Sequence, residues 1–247
     1  MIPKELLVMI ARKKGLTNKE HMEKDYFQDL FLYKLYKKTN MLVFKGGTCL
    51  YKIYNLKRFS EDLDFSLLKY FDVESLIKGI IKSIGNCEIK SIKKTEDSLL
   101  IKISFIGILT NYNTLRIDIN FKNIILEDFD TKNYISDYTD INPFSVRAMN
   151  LKEMLAEKIH SLLAREKARD LFDLFFLLKL AEFDKKLVEK KLRNFNMKFD
   201  CKTLKNKISK LKNVWERELK PFVLTELPEF EVIKNFVLSK IEAGIKE

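Results

Sequence analysis

Two pairs of residues, close together in the chain, could do chemistry as one unit. They are Gly46-Gly47 and the aspartates Asp62 and Asp64, within the stretch FKGGTCLYKIYNLKRFSEDLDFS, residues 44–66. The chain holds only 7 glycines, so adjacent ones stand out. MLVF (41–44) before them reads as a strand, and TCLYKIYN (48–55) after them reads as a helix. A strand, a glycine turn and a helix start can bind phosphate. Glycine lets the backbone approach closely, and the helix N-terminus offers unpaired N–H groups and a positive dipole end. The hydroxyl of Thr48 could cap that helix or touch a phosphate. The plainer alternative is a turn with no ligand.

DLDFSLL (62–68) reads as the next strand. At strand spacing Asp62 and Asp64 point to one face, and Leu63 and Phe65 point into the core. Two carboxylates side by side repel, and a cation between them resolves the conflict. Hard oxygen ligands suit Mg²⁺ or Mn²⁺. A solvent-facing polar edge is the alternative. A third carboxylate, Asp118, weighs against that alternative. In TLRIDINFK (114–122), Leu115, Ile117, Ile119 and Phe121 alternate with Arg116, Asp118, Asn120 and Lys122. This segment therefore has one apolar face and one polar face. If it neighbours 62–65 in one sheet, three carboxylates could hold two Mg²⁺, the arrangement for in-line phosphoryl or nucleotidyl transfer.

The elements that must position these residues can be read from periodicity. Residues 19–38 have helical spacing, and a helix over roughly 72–84 follows the aspartate strand. SLLIKISFIGI (98–108) and 114–122, joined by LTNYN, make an antiparallel hairpin. After Asn142-Pro143 the pattern turns helical, over 148–165, 168–182, 185–213 and 229–245. The expected organisation is an α/β core with an N-terminal helix over 1–142 and a helical basic domain over 143–247, an α+β fold class.

Composition narrows the partners. Apolar residues make up 46% of the 247, which supports a real core and argues against disorder. The formal net charge is +11, and residues 185–220 hold 13 Lys/Arg against 4 Asp/Glu, a net +9. Such a surface suits an anionic partner, nucleic acid above all, or else it is a solvated helix face. Three scattered cysteines and two histidines give no metal spacing and no disulfide framework, so the thiols read as intracellular. MIPKELLVMIARKKG has too short an apolar run for a signal peptide, and no run reaches the ~20 residues of a membrane span. A cytoplasmic protein with no membrane partner is expected.

The helical half carries its own candidates. Leu151, Met154, Leu155 and Leu162 form an apolar stripe with Lys158 in its middle. That lysine could snorkel out of the core or reach a phosphate. Asp170 and Asp173 lie one turn apart on a helix that is apolar nearly all round. Buried carboxylates need partners, for which Arg165, Arg169 and Lys158 are candidates. Simple stabilisation of a helix N-terminus is the alternative.

Gly-Gly-Thr, then Asp-x-Asp at the next strand, then a lone Asp on a later strand, is similar to the DNA polymerase β-like nucleotidyltransferase superfamily. More narrowly, KGGTCLYKIY…LKRFSEDLDFS resembles the AbiEii/AbiGii toxin family, whose pattern reads K-G-G-[ST]-x-L, then R-x-S-x-D-x-D. Lys45, Gly46, Gly47, Thr48, Leu50, Arg58, Ser60, Asp62 and Asp64 fit it. The stretch holding Lys158, Asp170 and Asp173 is similar to the family's later pattern, E-x-[LM]-x-A-E-K and then R-D-x-x-D: Ala156, Glu157 and Lys158 and then Arg169, Asp170 and Asp173 fit it, and Lys152 stands at its first position. The resemblance covers roughly 40–180.

It implies a nucleotidyltransferase-type mixed sheet flanked by helices, followed by a mainly helical half. It also implies a Mg²⁺- or Mn²⁺-dependent enzyme that transfers NMP from an NTP to RNA, a tRNA 3′ end. Asp62, Asp64 and Asp118 would bind the ions. Gly46, Gly47 and Thr48 would hold the triphosphate, with Arg58 and Ser60 supporting that loop or touching phosphate. Lys158 would contact nucleotide phosphates, and Asp170 would be needed for activity. The protein would be a toxin opposed by a cognate antitoxin. Two rival readings are a non-catalytic RNA- or partner-binding protein that keeps the fold, and a transferase acting on a small-molecule or protein acceptor.

Overall fold

The structure is a computed structural model that describes residues 2–122 and 124–246. The chain forms two compact units. The first comprises residues up to 55 with 59–122 and 129–148, and the second comprises 56–58, 124–128 and 149 onward.

The first unit begins with α1 (Lys4–Lys13) and α2 (Lys19–Tyr36), followed by β1 (Leu42–Lys45), α3 (Gly46–Tyr54), β2 (Leu63–Leu67) and α4 (Val73–Ile84). It continues with β3 (Cys87–Lys94), β4 (Ser98–Phe105), β5 (Asn113–Asn120), β6 (Asp130–Tyr134) and β7 (Phe144–Ala148). Among the described residues these strands make one 7-stranded mixed sheet in the order β3-β4-β5-β2-β1-β7-β6, with α2, α3 and α4 packed on it. The α+β class and the mixed sheet are as expected. The hairpin of β4 and β5 is present in full register, Ser98 opposite Asn120 through Phe105 opposite Asn113. Alternation also holds: Leu115, Ile117 and Ile119 are buried, and Asp118 and Asn120 are half-exposed.

Helix α2 is tied to its neighbours by charge. Asp25 and Asp29 are fully buried. Lys14 Nζ lies 2.5 Å from Asp25 Oδ2, and Lys52 Nζ on α3 lies 2.5 Å from Asp25 Oδ1 and 2.6 Å from Asp29 Oδ1. The Tyr138 hydroxyl donates to Asp25 at 2.7 Å, and that of Tyr134 to Asp29 at 3.0 Å. Burial alone would push the Asp25 carboxyl up. The two ammonium groups reverse this and hold it far below the usual carboxylate range.

The second unit holds α5 (Leu151–Ala164), α6 (Ala168–Leu177), α7 (Lys185–Arg193), α8 (Cys201–Lys210), α9 (Trp215–Leu219) and α10 (Phe230–Lys246). Segment 124–128 belongs here because Glu153 accepts from the backbone N–H groups of Leu126 and Glu127 at 3.0 Å. Lys191 Nζ neutralises Glu153 at 2.6 Å.

Several expectations are corrected. The single helix over 185–213 is broken. Asn196 adopts φ 54, which stops α7, and the Asp200 side chain accepts from Thr203 N to start α8. The glycines do not form a turn between β1 and α3, since Gly46 and Gly47 are the first residues of α3 itself. Strands β3, β6 and β7 and helix α1 were not anticipated. β3 and β6 are the two sheet edges, and their polar, partly exposed sequences carry no strong apolar alternation.

Candidate active site

The paired glycines at the start of α3 adjoin Asp64 in the first unit. Lys45 ends β1 opposite Asp64 of β2 in antiparallel register. The next residue, Gly46, has φ +73, a left-handed conformation that side chains disfavour. A β-carbon there would also overlap the Asp64 carboxylate, 3.0 Å from Cγ and 3.1 Å from Cβ. Glycine is therefore required twice over, by backbone conformation and by the closeness of Asp64.

Asp64 in turn sits in parallel register with Asp118 of β5. Both side chains are half-exposed, while Leu63, Phe65, Ile117 and Ile119 on the opposite face are buried. Asp62 lies two residues before Asp64, just ahead of β2, and is half-exposed as well. Thr48 is fully buried, and its hydroxyl donates to the Asp62 carbonyl. It therefore joins α3 to the aspartate segment and makes no cap at the helix N-terminus. Ser60 is buried, with its carbonyl oxygen held by Gln28 Nε2 at 2.9 Å. Gln28 escaped the sequence reading because α2 shows no clean apolar stripe. The polar residues Glu23, Lys24, Asp25, Gln28 and Asp29 are buried along with its apolar ones. A run of polar residues inside a helix that must be buried was the one available signal.

The donor set fits a hard divalent cation in type and placement: three carboxylates, two of them register partners on adjacent strands. They are not drawn together as they stand. Among the described residues no three His, Cys, Asp or Glu side chains are gathered closely enough to hold a metal ion. Asp118 Oδ2 instead accepts from Arg116 Nη2 at 3.1 Å.

The second unit gathers the remaining candidates into a separate cluster. Lys158 Nζ lies 3.0 Å from Asp170 Oδ1 and 2.7 Å from Asp173 Oδ2. Arg58 grips Asp173 with two bonds of 2.7 Å, Nε to Oδ1 and Nη2 to Oδ2. Arg165 does the same to Asp170, at 2.9 Å and 3.2 Å. Apart from the exposed Arg165, these groups are buried. Such pairs keep their charges because each carboxylate has two cationic partners. Burial would push the Asp170 carboxyl up, but Lys158 and Arg165 hold it down at about 2. Burial would lower Lys158, and Asp173 and Asp170 reverse this and raise it. Lys158 bridges the two carboxylates and so ties the Arg58–Asp173 pair to the Arg165–Asp170 pair.

A profile of the family described as "Nucleotidyl transferase AbiEii toxin, Type IV TA system" matches residues 30–235. This chain belongs to that family. The family is one of nucleotidyltransferase toxins, and the chain's fold agrees. It is similar to JHP933 from Helicobacter pylori, at 22% identity and TM-score 0.62, covering 94% of each chain. It is also similar to MenT4, a nucleotidyltransferase toxin from Mycobacterium tuberculosis, at 18% identity and TM-score 0.64, covering 98% of this chain and 90% of that one. No curated protein matches the sequence. Among the described residues no helix is long and apolar enough to cross a membrane.

Two outcomes follow. Gly46→Ala should lose roughly 1–2 kcal/mol of unfolding free energy in urea titration from the left-handed backbone alone, and should abolish nucleotidyl transfer by displacing Asp64. The Asp170 carboxylate, with its depressed pKa, stabilises the fold fully above its unfolded value of about 3.9. That contribution should fade as pH drops from there through about 2. Thermal unfolding of wild type and Asp170→Asn across pH 2–6 should show their difference shrinking in that window.

Proposed function

We propose that the chain transfers a nucleoside monophosphate from an NTP to an RNA acceptor, a tRNA 3′ end, as the toxin of a type IV-like pair held in check by a cognate antitoxin in the cytoplasm. The observation that carries this is the register pair Asp64–Asp118, with Gly46 closed against Asp64. Asp62, Asp64 and Asp118 would hold Mg²⁺ or Mn²⁺. When bound, such ions neutralise the triphosphate and lower the pKa of an attacking hydroxyl. Asp118 would also help to accept the proton of the acceptor hydroxyl. Gly46 and Gly47 present the first N–H groups of α3, with its positive dipole end, to the triphosphate. Thr48 and Ser60 support this nucleotide site by fixing the segment before Asp64.

In the helical unit, Lys158 serves phosphate neutralisation, with Asp170 holding its ammonium. Arg58, Lys158 and Arg165 against Asp170 and Asp173 leave one net positive charge, which favours an anion. Arg58 acts through Asp173, which it grips in a bidentate pair.

The RNA surface can be specified further. Of the cations in 185–220, Lys207 and Lys210 face Glu166 at 3.2 Å, and Lys191 is buried against Glu153. Lys186, Lys190 and Arg193 instead form one exposed stripe along α7, at helical spacing, opposite the buried Leu187, Val188 and Leu192. Phosphate contacts of this kind release counterions, so binding weakens steeply with salt.

Incubation with labelled NTPs, Mg²⁺ and total tRNA should transfer label to RNA, and Asp64→Ala should abolish it. No transfer to RNA or protein with any NTP would overturn the reading and favour a binding protein that keeps the fold. Replacing Lys186, Lys190 and Arg193 by Gln should weaken RNA binding and flatten its salt dependence by roughly 0.7 in log–log slope per lost contact on single-stranded RNA. The pair Lys207→Gln and Lys210→Gln should do much less.

A further inference from the structure

Gln28 is fully buried on α2, and it precedes the residues matched by the family profile. Its Nε2 donates to two consecutive carbonyl oxygens, Ser60 O and Glu61 O, each at 2.9 Å. The next carbonyl, of Asp62, accepts from the Thr48 hydroxyl. One turn before Gln28 on the same helix, Lys24 Nζ bonds Glu61 Oε1 at 2.9 Å. The backbone of Ser60-Glu61-Asp62 is thus held by side chains, residue by residue, up to the start of β2.

The other end of the Gln28 amide makes the point sharper. Oε1 is buried and has no hydrogen-bond partner. The amide cannot be reversed to relieve it, because Oε1 would then face two carbonyl oxygens and lose both bonds. A buried acceptor left unsatisfied is rare and costly, and calls for a reason. An apolar residue of similar shape would remove the orphan but leave two carbonyls bare. A glutamate would set a charge against them. Among residues of this size, only glutamine supplies two N–H donors on one nitrogen without adding charge.

We propose that Gln28 is a positioning residue for nucleotidyl transfer: its amide fixes the backbone before Asp62 and Asp64 and so sets where the two carboxylates stand. The assignment rests on the reading of those aspartates as the metal-binding pair. Partners that orient metal ligands from behind typically change metal affinity or activity by about 10- to 100-fold when removed.

The test is a Mn²⁺ titration of the full chain without nucleotide, followed by the EPR signal of free Mn²⁺, alongside label-transfer kinetics and thermal unfolding. Gln28→Met should weaken Mn²⁺ binding by about tenfold or more and lower kcat more than it raises KM for the NTP. Gln28→Asn keeps the amide but is one methylene short, and should fall between. It also carries the comparison if Gln28→Met does not fold. A lowered unfolding midpoint with unchanged Mn²⁺ affinity and kcat would show a merely structural role and overturn the proposal. Mn²⁺ binding lost in Asp64→Ala but unchanged in both Gln28 variants would overturn the Gln28 assignment alone. A wild type that binds no Mn²⁺, or binding that survives Asp64→Ala, would overturn the metal reading and the Gln28 assignment with it.

Discussion

A β-carbon at position 46 cannot coexist with the Asp64 carboxylate where it stands. Much of the first unit's geometry is bound to that contact. β1 must end at Lys45 in register with Asp64, and α3 must begin immediately, leaving no linker. Thr48 then lies within reach of the Asp62 carbonyl. The parallel pairing of β2 with β5 brings Asp118 alongside. The glycine start of α3 and the acidic strand are thus one construction, with the first N–H groups of α3 beside the Asp64 carboxylate. That is the electrostatic pairing a metal–triphosphate substrate requires.

Carboxylates elsewhere in the chain are handled differently. Asp25 and Asp29 are buried and neutralised by Lys14 and Lys52. Asp170 and Asp173 are buried and neutralised by Arg58, Lys158 and Arg165. Glu153 is matched by Lys191. Removing charge from water demands partners, and Glu23, buried with no cation beside it among the described residues, finds them in the N–H groups of Leu109 and Thr110 and in the Thr110 hydroxyl. Asp64 and Asp118 are register partners on adjacent strands, and both, like Asp62, are half-exposed, where solvent and ligands have access.

How much of this was legible beforehand depended on local pattern. The polar face of 114–122 is strict period-2 alternation, so Asp118 could be placed on the polar face of its strand, and its meeting with Asp64 hung on the pairing. The pairing itself, parallel and between segments far apart in sequence, has no local signature. The lysine in the apolar stripe of α5 flagged Lys158, but nothing in the sequence disclosed that Arg58, a hundred residues earlier, shares Asp173 with it. The edge strands were missed because their charged residues, which discourage edge-to-edge association, erase the alternation that marks a strand. The break after α7 was missed because an asparagine, Asn196, takes the left-handed conformation where a glycine would have announced it. The polar run of α2 marked Gln28 only as a member of a buried helix, and its partners, backbone carbonyls, have no signature in the sequence.

The most direct test of the central claim is the anomalous scattering of Mn²⁺ in crystals grown with a non-hydrolysable NTP analogue. The account predicts Mn²⁺ ligated by Asp62, Asp64 and Asp118, with the triphosphate against the Gly46-Gly47 end of α3. Mn²⁺ and triphosphate bound away from these aspartates and from the glycine start of α3 would contradict it.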